Sequence, residues 1–107
     1  MALDEAGFEA LTNATLNRWL EQVEDLVDAE LHDGVLTIQT EVGTFVVNRH
    51  SPLQQIWLSS PLSGAAHYRY DDGTRHWENT RGGPDLAQLL GRELTQALGS
   101  DPVKLEA

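Results

Sequence analysis

The sequence predicts an α+β domain with two helices packed on one face of a five- or six-stranded antiparallel sheet. Three observations carry this. Apolar residues recur at helical spacing near the start of the 107-residue chain, at spacing two through its middle, and at helical spacing again near its end. Two helices on one sheet face bury both apolar stripes and leave the other face in water. A chain of this length has room for one modest core, so residues 1–107 are expected to form one domain.

The first helix is expected from about Asp4 to Asp28. Phe8, Leu11, Thr15, Trp19, Val23 and Leu26 recur at spacings of three and four, and Leu16, Leu20 and Val27 widen the stripe. Asp4 suits the N-cap, and Glu5 suits the positive end of the helix dipole. A short strand is expected at about Glu30 to His32. Gly34 to Thr40, Gly43 to Arg49 and Leu53 to Ser59 then alternate and are rich in β-branched and aromatic residues, with turn residues between them. Asp72-Gly73 joins two further runs, His67 to Asp71 and Arg75 to Asn79. Leu86, Leu89, Leu90, Leu94 and Ala97 mark the second helix, between Pro84 and Gly99. Gly91 inside it lowers helical propensity by about 1 kcal/mol relative to Ala.

The absence of cysteine excludes disulfides, thiolate metal sites and a cysteine nucleophile. No apolar run approaches the roughly 18 residues that span a bilayer, and the start MALDEAGFEA carries neither a basic n-region nor an Arg-rich transit character. These features lead to the expectation of a cytoplasmic protein. The formal net charge is −10 and is unevenly spread: Met1 to Asn48 hold ten acids against the single base Arg18. A field of this sign repels nucleic acid and anionic lipid and attracts metal cations or basic protein surfaces.

Glu21, Glu24, Asp25 and Asp28 fall off the apolar stripe on the last turns of the expected first helix, with Glu30 just beyond. Acids at a helix C-terminus oppose the dipole by roughly 0.3–1 kcal/mol each, and like charges three or four residues apart repel. Solubility alone does not require them there. The row is therefore read as a site for a cation or a basic partner. Carboxylates suit hard cations such as iron, manganese, calcium or magnesium, and a convex helix surface implies weak, poorly selective binding. An EF-hand is excluded because Gly34 comes one place late and Gln39 stands where a bidentate Glu is required.

Strict alternation sends Leu36, Ile38, Phe45, Val47, Ile56 and Leu58 toward the helices. Thr37, Gln39, Thr44, Val46, Asn48, Gln55 and Trp57 then face outward. Trp57 on a polar, helix-free surface has the character of an interface anchor. Trp19 and Trp77 are expected in the core. His32, His50, His67 and His76 lack metal-ligand spacing, and no catalytic motif is present, so the protein is not expected to be an enzyme.

The run Gly34-Val35-Leu36-Thr37-Ile38, then Gly43-Thr44-Phe45-Val46-Val47-Asn48-Arg49, then Pro52 and Gln55-Ile56-Trp57-Leu58-Ser59-Ser60-Pro61, resembles the frataxins. Leu3-Asp4-Glu5 with Phe8, and Leu89-Leu90 with Glu93-Leu94, extend the resemblance over essentially the whole chain, in the bacterial type that has no leader. The resemblance implies a helix–sheet–helix sandwich and a role in iron–sulfur cluster assembly. It implies an acidic ridge for ferrous and ferric iron at Glu5, Glu9, Glu21, Glu24, Asp25, Asp28 and Glu30, with other divalent cations as possible ligands. It also implies contact with the cysteine desulfurase and the scaffold protein through Asn48, Arg49, Gln55 and Trp57. A monomer is expected without iron. Ferroxidase activity and an iron-storage oligomer are the alternatives; the first suffers from the lack of paired Glu-x-x-His motifs. Asn13, Ala14 and Asn17 replace acids of some relatives, His50 a common Gln, and His67 a basic residue.

Overall fold

Asp4 starts the first helix as expected, its side chain accepting a hydrogen bond from the Gly7 N–H at 2.6 Å. The computed structural model describes residues 3–99 and 102–106. In it, α1 runs Glu5–Val23 and buries Phe8, Thr12, Thr15, Leu16, Trp19 and Val23. The Thr12 hydroxyl bonds back to the Phe8 carbonyl at 3.0 Å, so a polar residue sits in the stripe with its hydrogen bond made within the helix.

The helix ends five residues earlier than its periodicity suggests. Glu24 is the C-cap, and the N–H groups of Leu26 and Val27 both donate to the Val23 carbonyl, turning the chain out of the helix. Leu26, placed on the stripe by spacing, is 54% exposed. The competing interaction is the edge strand β1, Asp28–His32, which pairs residue for residue with β2, Val35–Thr40, from Asp28 opposite Gln39 to His32 opposite Val35. Asp28 is therefore a strand residue rather than a helical one. Between the two strands Asp33 and Gly34 both adopt positive φ, 50° and 77°, the conformation that a two-residue hairpin of matching twist requires.

The meander continues through β3, Gly43–His50, β4, Gln55–Ser60, β5, Gly64–Asp71, and β6, His76–Asn79. All six strands lie in sequence order and every neighbouring pair is antiparallel. Compared with the sequence reading, β4 starts two residues later and β5 three residues earlier, so the connection between them shrinks to residues 61–63. The alternation holds: Leu36, Ile38, Phe45, Val47, Ile56 and Leu58 are buried, joined on the same face by Tyr68 and Trp77.

The second helix, α2, spans Leu86–Leu98, with a capping box between Asp85 and Gln88 and a left-handed Gly99 at its end. Its inner face is Leu86, Leu90 and Leu94, and it also buries Glu93. The Glu93 carboxylate accepts from the Ser60 hydroxyl at 2.6 Å, while that hydroxyl oxygen accepts the N–H groups of Leu62 and Ser63. One buried acid thus fixes the short β4–β5 turn.

Residues 102–106 pack along the helices. Val103 and Leu105 join the core; the Val103 N–H donates to the Thr95 hydroxyl of α2 at 2.8 Å, and the Trp19 indole of α1 donates to the Glu106 carbonyl at 2.7 Å. This explains Gly91. A Cβ there would stand 2.8 Å from the Val103 carbonyl oxygen, so the glycine is needed for close approach of the tail. Gly91→Ala should gain about 1 kcal/mol of helix propensity and lose about 1–3 kcal/mol to overpacking. A net fall in melting temperature of a few degrees by calorimetry is expected, and a rise would place the tail elsewhere.

Candidate functional site

The acids of the expected ridge come from three places. Glu5 and Glu9 sit exposed on the first turns of α1, Glu21 and Glu24 on its last turn and cap, and Asp28 and Glu30 on β1, with Asp25 in the turn between. At about 1.5 Å per residue, Glu9 lies roughly 18 Å along the helix from Glu21. Seven carboxylates therefore do not form one site. Glu5 favours the helix start through the dipole and needs no ligand to explain it.

Three of the remaining acids share one groove. Glu24, Asp25 and Asp28 line an open groove of about 720 Å³ whose opposite wall is Gln39, Thr40 and Glu41 of β2 and its turn, with Ala97 and Leu98 of α2 at its end. Glu41 was not singled out by the sequence reading. It arrives through the β1–β2 pairing, which no local spacing reveals. Glu30 faces outward on β1 opposite Thr37 and lies outside the groove lining. The last turn of α1 contains no basic residue to offset the charge. Among the described residues no three Asp, Glu or His side chains converge on one metal position. The groove is thus a concentration of negative potential with flexible ligands rather than a preformed chelate.

The outer sheet face holds the second group. Asn48, Trp57 and His67 lie side by side in the register of β3, β4 and β5. Trp57 is half-buried, with His50 stacked on one side at 3.7 Å between ring centroids and His67 on the other at 4.2 Å, the planes within 10° and 11° of parallel. The Gln55 side-chain carbonyl accepts the indole N–H at 2.7 Å. Asn48, Gln55 and Trp57 are therefore brought together as expected. The sequence marks His50 and His67 only as replacements beside this surface; the β3–β4 and β4–β5 registers are what bring them against Trp57.

Arg49 does not belong to this face. Alternation along β3 turns it to the helix side, where its guanidinium donates to the Asn13 side-chain carbonyl at 2.7 Å and lies over Gly34. A Cβ on Gly34 would stand 2.8 Å from the Arg49 guanidinium carbon. Arg49 joins α1 to the first hairpin, on the sheet face opposite to Asn48. Elsewhere, burial raises the pKa of the core residue Tyr68, and the charges of Glu93 and Asp85 add to the shift. The Asn79 side chain opposes it as a nearby dipole, because among the described residues no group meets hydrogen-bond geometry at that hydroxyl. Among the described residues no helix is long and apolar enough to cross a membrane.

The arrangement has clear counterparts. A family model described as a frataxin-like domain matches residues 1–100. Mitochondrial frataxin of Arabidopsis thaliana is 37% identical over 96% of this chain and 59% of its own length. The frataxin-like mitochondrial protein of Leishmania donovani is 39% identical over 82% of this chain and 55% of its own length. The chain thus spans rather more than half of these two relatives. Frataxin from Psychromonas ingrahamii shares the fold, with a TM-score of 0.83 over 98% of this chain and all of that one at 24% identity. A trimeric frataxin from Saccharomyces cerevisiae, complexed with ferrous iron, superposes with a TM-score of 0.70 at 32% identity, covering 94% of this chain and 90% of the other. With the family match spanning nearly the whole chain and the six-stranded sandwich in place, this chain belongs to the frataxin family.

Proposed function

We propose that this protein is a non-enzymatic iron-binding regulator of iron–sulfur cluster assembly, working in the cytosol, that holds iron weakly at the acidic end of α1 and β1. The observation that carries the reading is the groove: Glu24, Asp25 and Asp28 meet Glu41 at the negative end of a helix, an arrangement that is unfavourable for the fold unless a cation or basic surface compensates it. The ferrous iron in the yeast relative supports iron as the cation. The cysteine desulfurase surface would compete for or share the same acids, and the face bearing Asn48, Gln55 and Trp57 would supply a second contact with the desulfurase and its scaffold.

An anaerobic titration with ferrous iron, followed by amide NMR, tests the metal site. Resonances from Glu21 to Asp28 and at Glu41 are expected to broaden first, with Glu5 and Glu9 unaffected. Absence of any change at millimolar iron would remove iron from the reading. The trimeric yeast relative favours one second reading, an iron-storage oligomer. Size measurement without iron and during the same titration separates them: a storage protein is expected to assemble as iron is added, whereas the regulator, a monomer without iron, is expected to stay one.

A further inference from the structure

We propose that His50, Trp57 and His67 form a proton-operated stack that makes the outer sheet face cationic, and better able to hold an acidic partner segment, as pH falls below neutrality. This rests on the reading that the face meets a partner and adds how that contact is regulated. The geometry is the starting point. His50 comes from β3 and His67 from β5, so the imidazoles cover opposite faces of an indole on β4, at 3.7 and 4.2 Å and nearly parallel. A protonated imidazole over an indole face is attracted to the ring quadrupole, and histidine is the side chain whose charge ordinarily changes near physiological pH. Each proton therefore adds charge to the face and an attraction within the stack.

Trp57 is closed on both faces, and its N–H is held by Gln55. What it offers a partner is a ring edge between two imidazole edges. Ring edges and imidazole N–H groups suit carboxylates and carbonyls. The surroundings add two cations: Arg69, opposite Gln55 in register and itself opposed by Glu78 of β6, and Arg81, which lines one hollow with His67 and Asn79; Asp71 and His76 lie farther along β5 and β6. On β3 the neighbouring outward positions are Asn48 and Val46, and Arg49 is turned away; β4 contributes Gln55 and Ser59; Glu30 and His32 stand at the far β1 edge. With both imidazoles charged, this face contrasts with the acidic groove at the α1 end. His50 Nδ1 accepts a long hydrogen bond, 3.4 Å, from the Leu53 N–H. Protonation there breaks it and links the charge to the turn after β3.

The intact protein tests this in two arms. NMR of the imidazole protons and the Trp57 indole N–H between pH 8 and 5.5 is expected to give shared inflections, with Trp57 emission, isolated by difference from Trp57→Phe, quenched over the same range. An indole signal that ignores imidazole titration would overturn the coupling. In the second arm, affinity for the desulfurase–scaffold assembly is measured at pH 8 and pH 6 for the wild type and for His50→Gln/His67→Gln. Roughly fivefold tighter binding at pH 6 is expected in the wild type alone. Binding with equal pH dependence in both proteins overturns this inference only. No binding by either protein at either pH overturns the partner reading and the inference with it.

Discussion

Deleting the chain from Pro102 onward is expected to lower the melting temperature by roughly 10–20 °C while leaving a foldable protein. Val103 and Leu105 are each only 9% exposed, and burying such side chains contributes about 1.5–3 kcal/mol apiece. They also cover apolar surface on the helices, which the deletion returns to water. Three polar contacts go with them: Val103 N–H to Thr95, the Trp19 indole to the Glu106 carbonyl, and Glu106 N–H to Gln22. Against this stands the ordering of five tail residues, at about 1 kcal/mol or more each. The surplus is about 3 kcal/mol, and each kcal/mol shifts a domain of this size by roughly 4–8 °C. Calorimetry measures it directly, and a shift below about 3 °C would make the tail a bystander. The deletion also reverses a sign. Gly91→Ala is destabilising while Val103 sits against it, but in the shortened chain the same substitution should stabilise by its helix propensity, about 1 kcal/mol.

The same division between local and distant causes decides what the sequence could reveal. Strand faces were legible because alternation is local: once Phe45 and Val47 point inward, so must Leu36, Ile38, Ile56 and Leu58. That rule also places Arg49 on the helix side. Grouping it with Asn48 by resemblance overrode the alternation, and the bond to Asn13 shows the alternation to be the better guide. The end of α1 was not legible. Leu26 continues the helical period, yet pairing of β1 with β2 over five residues claims the segment. Glu41 and the place of His67 against Trp57 escaped for a related reason, since both depend on hairpin registers. The acidity of the α1 end was visible as composition, while the separation of the groove acids from Glu5, Glu9, Glu21 and Glu30, which lie outside its lining, required the fold.

Neutralising that groove is expected to separate stability from function in one variant. Glu24→Gln/Asp25→Asn/Asp28→Asn removes three charges from the negative end of α1 and the first residue of β1 without changing side-chain size. Without metal, the helix loses repulsion of roughly 0.3–1 kcal/mol per acid near its terminus, so the variant should melt several degrees higher at low salt. High salt should shrink the difference, because exposed charges are screened over about 10 Å at 0.1 M. Ferrous iron, expected to raise the melting temperature of the wild type, should have little effect on the variant, and the groove's iron affinity should fall at least tenfold. Each half has its own failure. A variant less stable than the wild type would mean that these carboxylates make structural bonds, and unchanged iron affinity would move the metal to Glu5, Glu9 or another surface. Glu5→Gln/Glu9→Gln is the matched control: it removes acids from the positive end of the same helix, so it should lower stability and leave iron binding intact. Opposite responses from two ends of one helix would identify the groove, rather than the overall charge of −10, as the feature that recognises iron.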